Sequence, residues 1–288
     1  MRFRRIFVLL LVSLLVVGCS RVSIFYRTLD LFIEKYADDY LSLDRSQLAA
    51  WRPTLADGLA RHRREELPHL AAFFGGLYDA TQAGFKAAGT ECLLDAFEDL
   101  YRRHFRLAAE LAAPLLVSLS PQQIRGLERK FAEEARDEAE KNRDLERRLR
   151  KRAERWSESV EWWIGPLTGA QRQIIRKVTR AMPDTAADWA AYRGARRARL
   201  IRLLDRQAGE AEIRRYLTDW LADHKDLPPP LRTAKQGIRR QIVRLFVRLD
   251  ASFSRTQRTH FKERLANLRD DFMGLQKNPR MAPLSCAR

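Results

Sequence analysis

Five histidines and three cysteines are the residues best able to do chemistry in this chain, and one group of them is spaced to act together. His62, Glu66 and His69 follow each other at intervals of four and three. On a helix that spacing gathers them on one face, suited to a divalent cation or a general acid–base pair. Pro68 interrupts the pattern, so His69 is expected past a bend. His62 also completes an apolar stripe of Leu48, Trp51, Leu55 and Leu59, where a histidine is commonly a hydrogen-bonded core residue. Glu65 and Glu66 fall in a last helical turn, where carboxylates oppose the helix dipole and Arg61, Arg63 and Arg64 can offset them. Asp38-Asp39 beside Tyr40 reads as a helix end and a turn. The sequence contains no glycine-rich phosphate loop, Gly-x-Ser-x-Gly elbow or His-Glu-x-x-His. The expectation is a protein without catalytic residues, metal or cofactor. An enzyme built on the His62/Glu66 region is one alternative.

Cys19 points to a different chemistry. Arg2, Arg4 and Arg5 form a basic start, Ile6–Val17 is apolar except for Ser13, and Val16-Val17-Gly18-Cys19 closes the run. The run is shorter than the roughly 20 residues a membrane span needs. This arrangement resembles a bacterial lipoprotein signal ending in a lipobox; an ordinary secretion signal or an uncleaved anchor are the alternatives. The resemblance implies a signal peptide over 1–18, a diacylglyceryl group on the Cys19 thiol and an acyl chain, such as palmitate, on its new amine. At about 0.8 kcal/mol per buried methylene, three chains make release from a bilayer negligible. Ser20 stands where an aspartate would imply inner-membrane retention, so the implied address is the periplasmic face of the outer membrane. Two other cysteines remain. Cys92 and Cys286 can pair in an oxidising compartment; otherwise Cys92 is a small buried helix residue.

Charge is distributed unevenly. Residues 20–164 carry 24 basic and 25 acidic side chains, whereas residues 165–288 carry 27 and 12. Arginine supplies 44 of the 54 basic residues, favouring bidentate recognition of phosphate or carboxylate. Export disfavours nucleic acid as the partner, leaving anionic lipid, lipopolysaccharide or an acidic envelope protein. The bland alternative is a solvated surface. Arg240, Arg244 and Arg248 recur every four residues and form one stripe, opposite a face of Ile238, Ile242, Leu245 and Leu249. That stripe is the candidate anion site.

The elements that must position these residues are helical throughout, since apolar residues recur at three and four and no alternating run reads as a strand. The periodicity predicts an all-α bundle of about ten or eleven helices, over 28–41, 44–66, 69–87, 91–117, 120–140, 143–163, 168–182, 184–208, 210–224, 231–251 and 254–274. Prolines at 68, 114, 121, 166, 183 and 228–230 punctuate it. A single helical domain over 19–275 is expected, with possible lobes 20–164 and 165–275, and residues 276–288 as a flexible tail.

One local pattern occurs four times: Leu43-Asp44 with Gln47, Leu119-Ser120 with Gln123, Leu167-Thr168 with Gln171 and Phe253-Ser254 with Gln257. Each has an apolar lead-in and a further apolar residue four past the glutamine (Trp51, Leu127, Ile175, Phe261). These are capping boxes: the Asp, Ser or Thr oxygen accepts from a first-turn N–H, and the glutamine reaches back to the cap N–H. The intervals of 76, 48 and 86 residues have no fixed period and disfavour a solenoid. Two boxes per half allow an old duplication.

Two resemblances attach to these residues. Tyr26–Pro68, with Asp30, Asp38-Asp39-Tyr40, Leu43-Asp44 and His62-Arg63-Arg64-Glu65-Glu66-Leu67-Pro68, followed by the later helix starts, resembles a family of Gram-negative lipoproteins of unknown function. That family carries no functional residues over. Leu167-Thr168 with Gln171, and Leu119-Ser120 with Gln123, are similar to the repeated motif of small periplasmic stress chaperones, curved helical dimers that shield unfolded clients. This chain is about twice their length, carries a lipidation signal and varies the motif elsewhere. The functional expectation is a non-catalytic binding or scaffold module of the envelope, the alternative a lipid-tethered chaperone-like or envelope-stress protein.

Overall fold

The computed structural model describes residues 21–284, and within them every regular element is helical. In chain order these are α1 (Arg21–Arg27), α2 (Leu29–Leu41), α3 (Arg45–Glu65), α4 (Leu67–Ala83), α5 (Ala87–Val117), α6 (Pro121–Lys141), α7 (Leu145–Ile164), α8 (Gly169–Arg180), α9 (Ala186–Asp205), α10 (Glu210–Leu217), α11 (Pro229–Asp250) and α12 (Arg255–Gly274). The protein is thus an all-α multi-helix bundle. The helix expected over 210–224 changes winding instead: α10 runs into a π-helical segment, Thr218–Ala222. Pro114 lies inside α5 rather than at a boundary, and Pro53 lies inside α3. Helix α1 had no cap or stripe to announce it.

All four boxes are helix starts. Asp44, Ser120, Thr168 and Ser254 are the N-caps of α3, α6, α8 and α12, each bonded reciprocally with its glutamine. The apolar residue four past each glutamine is buried: Trp51, Leu127, Ile175 and Phe261. The boxes then do something that capping alone does not require. Gln47 and Gln123 exchange side-chain amide bonds, Nε2 to Oε1, at 3.1 and 2.8 Å. Each also donates to the carbonyl two residues ahead of the other's cap, Gln47 to Ser118 and Gln123 to Ser42, both at 2.7 Å. Gln171 and Gln257 repeat the figure, exchanging bonds at 2.8 and 3.0 Å and donating to the carbonyls of Ser252 and Pro166 at 3.1 and 2.8 Å. Each clamp joins two helix starts face to face, and each glutamine spends both amide hydrogens and both acceptor sites.

The cores around the clamps are discontinuous in sequence. One gathers α2, α3, the C-terminal half of α5, α6, α9 and α10 around Leu55, Leu127 and Ile213. A second joins α4, the N-terminal half of α5, α7 and α12 around Leu93, Ile164 and Leu265, and α7, α8 and α11 continue it around Ile175 and Leu245. The packing therefore does not follow a cut at 164/165: α9 packs on α6, and α12 packs on α4. Helix α5, about 46 Å long at 1.5 Å per residue, serves both cores.

Between them, the loop after α4 turns at Gly84, whose φ of 80° suits a residue without a Cβ. Buried Asp250 at the end of α11 accepts there from the Phe85 N–H and from Arg258, which also donates to the Thr81 carbonyl. The segment after α12, expected as a flexible tail, lies against the body as far as residue 284: the Ala282 N–H donates to the Pro68 carbonyl at 3.0 Å, and Leu284 reaches Gly76.

Candidate functional site

Helix α11 begins within the Pro228–Pro230 run, with proline tolerated in a first turn whose N–H groups have no intrahelical acceptor. Its two faces divide as the spacing predicts. Leu245 and Leu249 are buried and Ile238 and Ile242 pack beside them. Arg240, Arg244 and Arg248 are all exposed on the outer side. Among the described residues none of the three is ion-paired with a carboxylate, and Arg244 donates a hydrogen bond to the Gln241 side chain at 3.4 Å. Several arginines elsewhere are engaged by carboxylates: Arg239 by Glu91 and Asp95, Arg103 by Glu66, Arg193 by Glu138, Arg197 by Glu134. Helix α8, packed against α11, adds exposed Arg176 and Lys177. Its Arg172 and Arg180 bind Glu161 and Glu146 of α7. The six basic residues of α11 face a single acidic one on that helix, Asp250, which is buried.

The histidine group is differently built. His62 shares a 2.8 Å hydrogen bond with the Tyr26 hydroxyl and packs edge-on against His104, whose Nδ1 donates to the Leu100 carbonyl. Burial, then the neighbouring His104, holds the His62 imidazole down to about 4, against an upward pull from Glu66. Glu66 itself is buried and bonded by two guanidinium nitrogens of Arg103, at 2.6 and 3.0 Å. His69 lies on α4, past the break at Glu66 and beside Pro68 in the first turn, and burial and the Arg103 charge lower its pKa. Among the described residues no group of three or more His, Cys, Asp and Glu side chains is arranged to hold a metal ion.

Cys19 and Cys286 lie outside the described residues. Cys92 is disulfide-bonded. No described helix is long and apolar enough to cross a membrane. Helices α1 and α2, the first after Cys19, leave Phe25, Leu31, Phe32 and Tyr36 more than half exposed, with Phe25 and Phe32 stacked.

A family model described as a family of unknown function, DUF6279, matches residues 39–233. The chain belongs to that family. The match takes in the whole Gln47–Gln123 clamp and Gln171, and ends before Gln257 and the Arg240–Arg248 stripe. No curated protein and no solved structure matches the chain.

Two features escaped the sequence reading. The clamps were signalled by the choice of glutamine: a capping box works equally with glutamate, and four glutamines in four boxes imply that the amide hydrogens are also used. The second is an aromatic cavity between α4, α5, α7, α11 and α12. Its lining residues were each legible as core, but nothing in their spacing signals that the core is hollow.

Proposed function

We propose that this protein is a lipid-anchored, non-catalytic module on the periplasmic face of the outer membrane that engages anionic envelope lipid through Arg240, Arg244 and Arg248. The observation that carries the reading is the stripe on α11, where three exposed guanidinium groups, spaced four residues apart on one face, meet no carboxylate among the described residues. Guanidinium groups in a row suit phosphate oxygens, with lipopolysaccharide and anionic phospholipid as the matching chemistry and an acidic envelope protein as the remaining candidate. Anchoring by Cys19 is supported by its place at the end of an apolar run and by the exposed apolar side chains on α1 and α2, which suit a membrane interface. The non-catalytic reading is supported by the neutral, hydrogen-bonded state of His62 and the neutralisation of Glu66 by Arg103.

Two measurements test it. Mass spectrometry of the mature N-terminus is expected to find acylated Cys19; an unmodified residue other than Cys19 there removes the lipoprotein reading. Chain carrying Cys19→Ser is expected to co-sediment with vesicles containing anionic lipid better than with neutral ones. That preference should fall steeply with salt, because exposed charges are screened over about 8 Å at physiological ionic strength. Changing the three arginines to Gln should remove most of the preference, and undiminished binding would reduce the stripe to a solvated surface.

A further inference from the structure

A cavity of about 390 Å³ lies beneath the inner face of α11 and is left unused by this reading. Phe74, Phe85, Leu93, Trp163, Phe246 and Phe261 form much of its wall. Apart from two indoles, its only polar side chains are Ser159 and Thr90, and the Thr90 hydroxyl is already donated to the Lys86 carbonyl at 2.9 Å. A second cavity of about 270 Å³ shares Leu94, Phe97 and Ile242 with the first. Its walls are different: Glu98, Arg102, Lys235 and Arg239 stand among apolar residues. Arg239 is taken by Glu91 and Asp95. Arg102 and Lys235 share Glu98, and Arg102 also reaches Asp99, which is not part of the cavity lining, at 3.7 Å. Phe97 is 55% exposed where the two cavities meet.

We infer that the paired cavities bind one long-chain fatty acid, its alkyl chain in the aromatic cavity and its carboxylate at Arg102 and Lys235. The size falls within the range of small-ligand sites, and the arrangement of apolar walls with a few convergent polar groups is that of such sites. A peptide is the poorer occupant. It would bring backbone N–H and C=O groups into walls with almost nothing to pair them, a burial that costs free energy for every unpaired group. An alkyl chain brings none. Arg102 and Lys235, lining the far end beside a single lining carboxylate, suit an acid rather than an amine. The inference stands on the cavities alone and is independent of the outer arginine stripe.

The test uses chain carrying Cys19→Ser, which leaves every described residue in place, and ω-bromododecanoic acid as probe. Bromine on the chain end quenches nearby indoles, and Trp156 and Trp163 line the aromatic cavity. Saturable quenching is expected, reversed by unlabelled dodecanoic acid at a concentration at least about fivefold lower than by dodecanol. Val160→Trp, which fills the cavity, should abolish the quenching with helical content unchanged. Should that variant not fold, Leu94→Trp at the junction is read in the same way. Arg102→Gln with Lys235→Gln should remove the preference for acid over alcohol. No saturable quenching, equal quenching in the filled variant, or stronger displacement by an extended apolar peptide overturns the inference.

Discussion

Gln47 and Gln123 clasp each other where both are only half-buried, whereas Gln171 and Gln257 make the same set of bonds with 1% and 7% of their surfaces exposed. The bonding is alike down to the carbonyl that each amide finds; the surroundings are not. In the first clamp, water can replace a lost partner. In the second, removal of one glutamine strands the other amide and the carbonyls it served in a dry space, where an unmade hydrogen bond costs far more than a made one contributes. One local motif thus serves as a solvated fastener in one core and as a buried keystone in the other.

The largest expected effect follows directly. Gln171→Ala should lower the stability to denaturant by about 3 kcal/mol, and Gln47→Ala by about 1 kcal/mol. Equal losses would mean that depth does not govern the clamps.

A second difference concerns acid. His62, under α1 and beside the first core, is held to about 4 against an ordinary 6.5. Between those values the unfolded chain binds the proton and the folded chain does not. Its contribution is therefore complete above about pH 6.5 and is lost as pH falls toward 4, up to about 3 kcal/mol. Denaturant titrations at pH 7 and pH 4.5 should find this loss, and His62→Leu should flatten it. An unchanged slope in that variant would assign the acid sensitivity elsewhere.

Smaller effects are expected from the caps. Thr168→Ala and Ser120→Ala should each cost roughly 0.5–2 kcal/mol, with the exposed Ser120 toward the lower end, read from thermal unfolding. Smallest of all, changing Arg240, Arg244 and Arg248 together to Gln should move stability by less than about 0.5 kcal/mol, since no ion pair is broken.

The helices and their starts were legible in the sequence because both are local: periodicity of three and four marks a face, and Asp, Ser or Thr with Gln three later marks a cap. The division of α11 into an apolar face and an arginine stripe was legible for the same reason. The pairing of Gln47 with Gln123, and of Gln171 with Gln257, was not, because it depends on where two helix starts meet after 76 and 86 residues of chain. Which helices pack together across residue 164 was not legible for the same reason. Charge changes near residue 164, but the cores exchange helices across that point. The π-helical Thr218–Ala222 lay inside an amphipathic stretch that carries no breaker.

The central claim is that the clamps hold the structure while binding resides on α11. Double-mutant cycles on Gln171/Gln257 and Gln47/Gln123, with leucine as the replacement and vesicle binding measured on every variant, test it most directly. The account predicts a coupling within the range of about 0.5–3 kcal/mol that is larger for the buried pair, with vesicle binding unchanged throughout. Clamp variants that bind anionic vesicles several-fold more weakly while unfolding like the parent would contradict it, and would make the glutamine motif a recognition element.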